Sequence, residues 1–194
     1  MDLGNNLLKE LDVKQAPILY KLYCNNNKLE ALDTKGMALL SSIYLDKNAL
    51  RIINLEDSKL GNPYNAKIKD QNITIKHAVQ DNAYNIKMAD IVGSENVGNI
   101  KSVEGADFDK ATGIVKVSLQ KPDFKYIYRA ATKKDWSGSS FDVELEVNVK
   151  VEKLEVQEDK PQVESPRNTG TSSNNTNAAE NPTVIVDNPE TPKS

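Results

Sequence analysis

The stretch Leu22-Tyr23-Cys24-Asn25-Asn26-Asn27-Lys28-Leu29-Glu30-Ala31-Leu32-Asp33 decides the reading of this chain, because its spacing recurs. The segments Leu8-Lys9-Glu10-Leu11-Asp12, Leu29-Glu30-Ala31-Leu32-Asp33 and Leu50-Arg51-Ile52-Ile53-Asn54 start 21 residues apart (29 − 8 and 50 − 29). Working outward, Leu19, Leu22, Cys24, Asn27 and Leu29 align with Leu40, Ile43, Leu45, Asn48 and Leu50. Met1, Leu3, Asn6 and Leu8 fall on the matching columns of the preceding unit. Self-similarity at a fixed short period marks a chain built from stacked units.

The pattern is the L-x-x-L-x-L-x-x-N-x-L of a leucine-rich repeat, with one short strand per coil. Apolar columns point inward and stack on their counterparts. The Asn side chain bonds to the backbone where the chain leaves the strand, satisfying groups that burial would otherwise leave unpaired. Cys24 shares a column with Leu3 and Leu45, which makes it a small core hydrophobe. The wording of Leu22–Asp33 resembles the repeat of bacterial surface leucine-rich-repeat proteins. It is similar to the cysteine-containing branch of the internalins and to their relatives in gut and oral bacteria. That resemblance covers about residues 1 to 57. It implies protein recognition or adhesion, and no catalytic residues come with it. Asn54 stands where the other units have Asp, and Glu56-Asp57-Ser58 follow, as expected of a terminal unit closing the stack. Met1 sits on a column that wants a buried Leu, and about three units are needed for a continuous core. Further repeats and a signal peptide are therefore expected upstream.

Beyond Leu60-Gly61-Asn62-Pro63 the period becomes 2. In Phe141–Val151 every odd-numbered residue is apolar and every even-numbered one polar, the pattern of a strand with one buried face. Ile114–Leu119 and Phe124–Tyr128 read as strands too, with weaker ones at Ile73–Lys76, Tyr84–Met88 and Ile100–Val103. Asp109–Gly113, Lys121-Pro122-Asp123 and Ser137-Gly138-Ser139 supply turns. Several runs, including Asn99–Ala106, Ala111–Val115, Tyr126–Tyr128 and Phe141–Val143, resemble the β-region that follows the repeats in such surface proteins, where it acts as cap and spacer. From Glu152 the composition turns to Glu, Lys, Pro, Asn, Ser and Thr, with a short apolar island at Val184-Ile185-Val186. Such a segment cannot bury enough apolar area to offset its ordering entropy and is expected to be disordered. Its ending, Pro189–Ser194, is reminiscent of the approach to a sortase signal but lacks the glycine, apolar span and basic tail; a linker is the alternative.

The expected fold is thus mainly β and free of α/β units. Residues 1–60 form a short leucine-rich-repeat solenoid, 64–151 an antiparallel β-sandwich-like cap or spacer, and 152–194 a disordered tail.

Composition narrows the function. The 194 residues are 38% hydrophobic and 27% charged, with a net charge of −3, so there is no basic footprint for nucleic acid. No stretch approaches the ~18 apolar residues of a membrane helix. With a single Cys and a single His77 there is no intramolecular disulfide and no zinc-site spacing. Neither a Gly-rich phosphate loop nor a nucleophile elbow appears. Asp107 with Asp109, and Glu144 with Glu146, are the carboxylate pairs on offer. They read as a turn approach and a solvated strand face, and nothing identifies the residues of a Lys–Asn cross-link. The chain therefore reads as non-catalytic, with no metal and no cofactor.

In a leucine-rich-repeat coil the strand residues between the inward positions face the concave surface, where partners dock. These are Lys21, Tyr23 and Asn25, then Ser42, Tyr44 and Asp46. Tyr23 and Tyr44 stand in register as an aromatic pair of the kind enriched at hot spots; good strand residues would look the same. The expectation is a cell-surface or secreted recognition and adhesion module, monomeric and without a membrane span. Its partner is a protein or glycan on a host or neighbouring cell. The alternative is a structural cap and spacer, with binding carried by upstream repeats.

Overall fold

A computed structural model describes residues 1–155; the expected disorder of the tail, and its Val184–Val186 island, lie outside the described residues from 156 onward. The repeat columns become stacked turns of chain. Strands β1 (Lys21–Tyr23), β2 (Ser42–Tyr44) and β3 (Ala66–Lys67) form a parallel sheet in that order. Leu22 pairs with Ile43 and Tyr23 with Tyr44, one 21-residue step apart, and an isolated bridge joins Asp2 to Tyr23. Leu22, Cys24, Leu29, Leu40, Ile43, Leu45 and Leu50 are all fully buried, at 0% exposure. Met1, on the column of Leu22 and Ile43, is 51% exposed.

The Asn column does what its spacing requires. The Asn48 Oδ1 accepts from Leu29 N at 3.0 Å, while its Nδ2 donates to the Cys24 and Leu45 carbonyls, each at 2.9 Å. Asn27 repeats the arrangement one turn earlier, accepting from Leu8 N at 3.0 Å and donating to Leu3 O at 2.9 Å. Each buried amide thus bridges two turns and pairs backbone groups that the coil leaves open.

Two further sheets follow. The first has the order β4 (Gln71–His77), β10 (Ser140–Lys153), β9 (Asp123–Lys134), β6 (Ile100–Glu104). The second has the order β5 (Ala83–Lys87), β8 (Ile114–Ser118), β7 (Asp107–Asp109). A one-turn helix α1 (Ala89–Val92) and 3-10 helices at Pro63–Asn65 and Ser94–Asn99 complete the described residues. The period-2 pattern of β10 is read correctly: Val143, Leu145, Val147, Val149 and Val151 are all buried. Each contributes about 1.5–3 kcal/mol of transfer free energy.

The expected fold class needs correction. The described residues are mainly β, as expected, but they form three open sheets with a few short helices rather than a solenoid followed by a sandwich. No separate antiparallel sandwich follows a free-standing solenoid. The four-stranded sheet is mixed, because β4 pairs parallel with β10, from Val147↔Gln71 to Lys153↔His77. One continuous apolar core runs from Val13 through Leu60 and Ile68 to Val151. Periodicity fixes which face of a strand is buried but carries no information on partner or direction, which is where the sandwich reading failed. Strand β10 also extends to Lys153, so Glu152 and Lys153, placed in the tail, belong to a sheet.

Three devices join the repeats to the β-region. Gln71 occupies the place of the next Asn: its Oε1 accepts from Leu50 N at 3.0 Å and its Nε2 donates to Leu45 O at 2.8 Å. A β-bulge in β9, where the pairing steps from Val143↔Ala131 to Glu144↔Arg129, places Ala130 and Ala131 both inside. The bulge interrupts the ladder, and the Ala130 carbonyl accepts instead from Leu55 N at 2.9 Å. Finally, the buried Tyr126 hydroxyl donates to Arg51 O at 2.7 Å, and the Lys133 ammonium donates to Ser58 O at 3.0 Å and to Glu56 O. Burial raises the Tyr126 pKa and lowers that of Lys133, the latter against the charges of Glu56 and Asp57.

Candidate recognition surface

The outward residues of the parallel sheet form columns across the turns. Because side chains alternate along a strand, Lys21, Tyr23 and Asn25 share one face, as do Ser42, Tyr44 and Asp46 one turn later. The structure brings the tyrosines together. The rings of Tyr23 and Tyr44 lie 4.8 Å apart between centroids and are tilted by 32°. Both are half-buried, so faces pack on each other while edges remain accessible. Lys21 is exposed and Asn25 half-buried. Ser42 is buried, at 7% exposure, and offers little to a partner. Asp46 is partly occupied, since its Oδ1 accepts from Lys69 N at 2.8 Å.

Sequence reasoning missed the third member of the aromatic column. Tyr44 pairs with Lys67 in β3, a step of 23 residues (67 − 44) rather than 21, so Lys67 falls outside the repeat frame. Its Nζ sits 4.6 Å from the Tyr44 ring centroid, within cation–π range. The column therefore runs Asp2, Tyr23, Tyr44, Lys67, and its last member comes from the β-region. The only sequence signal was the alternation of Ala66-Lys67-Ile68-Lys69, too short to stand out.

The other residues singled out have plainer settings. Cys24 is fully buried, and burial, reinforced by the Asp2 charge, pushes its thiol pKa up to about 11. On the far face of the mixed sheet, Lys101 Nζ reaches Asp142 at 2.8 Å and Glu144 at 2.5 Å, while Lys125 reaches Glu104 at 2.9 Å and Glu146 at 4.0 Å. Those carboxylates are engaged in ion pairs. Asp109 closes its turn by accepting from Ala111 N at 2.9 Å and from the Thr112 hydroxyl at 2.8 Å, and these bonds hold its pKa below 3.8. The His77 Nδ1 lies 2.9 Å from Ala78 O. Among the described residues no helix is long and apolar enough to cross a membrane.

No protein-family profile matches the chain, and no curated protein does. Among solved structures the chain is similar to the functional domain of InlJ from Listeria monocytogenes, which includes a cysteine ladder. The TM-score is 0.51 at 23% identity, and the match covers 75% of this chain and 32% of that one. At that identity the likeness concerns the fold. The chain spans about a third of the length of that relative, an internalin. In the present chain the column of Leu3, Cys24 and Leu45 holds one cysteine.

Proposed function

We propose that this chain is a non-catalytic recognition module of a cell-surface or secreted protein, which engages a partner through the Tyr23–Tyr44 column of its parallel sheet. The stacked tyrosine pair carries the reading. Two aromatic rings fixed in register on a flat strand face lose little entropy on binding and present hydroxyls and ring edges together, as at interface hot spots. Lys67 extends the column with a positive charge. The likeness in fold to an internalin fits a binding role, and the partner taken here is a protein or glycan on a host or neighbouring cell.

The test uses the full chain on arrays of extracellular proteins and of glycans, beside a Tyr23→Ala, Tyr44→Ala double variant. The variant should fold as the wild type does and lose binding by about tenfold or more. Unchanged binding by the variant would refute the assignment. A second, structural role is supported for residues 64–151 by the bonds that close the last repeat. The Leu55 N–Ala130 O and Tyr126–Arg51 contacts support this region serving as the cap of the stack, whichever surface binds.

A further inference from the structure

The charges on the face that carries the tyrosine column are unevenly answered. Lys21, Lys67 and Lys69 are all exposed, and none makes an ion pair among the described residues. Lys67 and Lys69 flank the buried Ile68, so strand alternation puts both ammoniums on the outward side. The face also carries two carboxylates, and each is turned to the backbone. Asp2 Oδ1 accepts from Gly4 N at 3.1 Å, and Asp46 Oδ1 accepts from Lys69 N at 2.8 Å. Asp2 stands at the opposite end of the column from Lys67. Lys47 and Asp70, in the turns beyond the strands, add one charge of each sign. The end of the column around Tyr44 and Lys67 is therefore left with an excess of cations.

The rings limit what can be bound there. Strand β2 lies between β1 and β3, so Tyr23 and Lys67 reach the Tyr44 ring from opposite sides, at 4.8 Å between centroids and 4.6 Å from Nζ to centroid. Both faces of Tyr44 are taken, as is one face of Tyr23. A ligand that stacks, as a nucleobase or a sugar ring does, needs an open ring face, and the column turns none toward solvent. What it turns outward is ring rims and hydroxyls. The rim of an aromatic ring carries the positive part of its quadrupole, and the hydroxyl is a donor, so both favour carboxylate oxygens. A polypeptide brings carboxylates and apolar side chains together within a few residues, and so meets the ammoniums and the rims at once.

We infer that the partner engaged by the tyrosine column is a protein with an exposed acidic segment. Its carboxylates meet Lys67 and Lys69 while its apolar side chains pack along the rims of Tyr23 and Tyr44; this rests on the column being the recognition surface. The test titrates the full chain with a dodecapeptide that repeats Glu-Ala-Asp-Val. A twin with Gln and Asn in place of the acids is the neutral peptide, and hexagalacturonate is the acidic glycan. The acidic peptide should bind at millimolar concentration or below and shift the ring NMR signals of Tyr23 and Tyr44. Its binding should weaken about tenfold between about 50 mM and about 500 mM NaCl. Lys67→Gln with Lys69→Gln should also cost about tenfold, and because both side chains are exposed the variant keeps the fold. The inference is overturned if the acidic peptide does not bind, if it binds without moving the tyrosine signals, or if the neutral twin or hexagalacturonate binds as tightly. On the arrays, a partner lost by the Tyr23→Ala, Tyr44→Ala variant but indifferent to salt and to the lysine variant overturns the acidic partner and leaves the column as the binding surface. A partner that the tyrosine variant retains overturns the column itself, and this inference with it.

Discussion

Replacing Gln71 by Met puts the junction between repeats and β-region to a direct test. Methionine has nearly the length of glutamine and none of its hydrogen-bonding groups, so volume is conserved and the amide is deleted. Leu50 N, in a fully buried residue, loses its acceptor at 3.0 Å. A buried donor left without a partner costs about 1–3 kcal/mol. The two carbonyls that Gln71 serves fare better. Leu45 O keeps the Asn48 amide at 2.9 Å and Lys69 O keeps Lys47 N at 3.2 Å, so each loses one of two donors. Adding about 0.5 kcal/mol for each gives a destabilisation of about 2–4 kcal/mol. For a unit of this size that lowers Tm by about 4–16 °C. Urea and thermal unfolding of the full chain, followed by circular dichroism, would measure it. Gln71→Asn sharpens the test, because residue 71 already lies in β4 and the longer side chain spans back to the last turn. It should recover less than half the loss. A Gln71→Met variant within about 0.5 kcal/mol of wild type would refute the reasoning, and full recovery by Asn would refute the part played by the extra methylene.

Two further outcomes follow from burial and charge. Cys24, buried and with its thiol pKa raised to about 11, should resist iodoacetamide in the native chain and react after unfolding; complete labelling of the native protein within minutes would contradict that setting. Asp142 is held below its ordinary pKa of 3.8 first by Lys101 and then by the Thr132 hydroxyl. A depressed folded pKa adds stability that is present above 3.8 and is lost as pH falls through the folded value. Asp142→Asn should therefore flatten the acid limb of the urea midpoint measured between neutral pH and about pH 2, with a small effect because the pair is partly exposed. An acid limb as steep as wild type would rule out this contribution.

What the sequence made legible was whatever obeyed a strict step. The buried Leu and Asn columns, and the facing tyrosines, follow from 21-residue spacing and strand alternation alone. The same spacing hid their continuation. Between Asp46 and Lys69 the step is 23 residues, and in the next turn Asn gives way to Gln71, so both Lys67 and Gln71 fall out of frame although they complete columns in space. Strand β9 runs for 12 residues, more than twice the Phe124–Tyr128 stretch that its alternation showed, because the bulge at Ala130 and Ala131 breaks the period where the strand meets the repeats. Ser42 shows the limit of face assignment, since alternation gives a direction and not exposure.

The joined architecture has a physical reason. A stack of parallel turns ends with donors and acceptors aimed at a neighbour that is not another repeat, and leaving them buried and unpaired would cost about 1–3 kcal/mol each. Here each is met by a specific group: Leu50 N by Gln71, Leu55 N by the carbonyl that the bulge in β9 releases, Arg51 O by the Tyr126 hydroxyl, Ser58 O by Lys133. These groups come from β4 and β9, strands that are held by β10 between them. The last repeat thus acquires its partners only when the mixed sheet is formed, while the β4 edge of that sheet is anchored by Gln71 and by the bond from Asn72 N to Asn48 O at 2.9 Å. Each part supplies what the other lacks, so the tyrosine column and Lys67 at its end sit on a single framework rather than on two domains joined by a hinge.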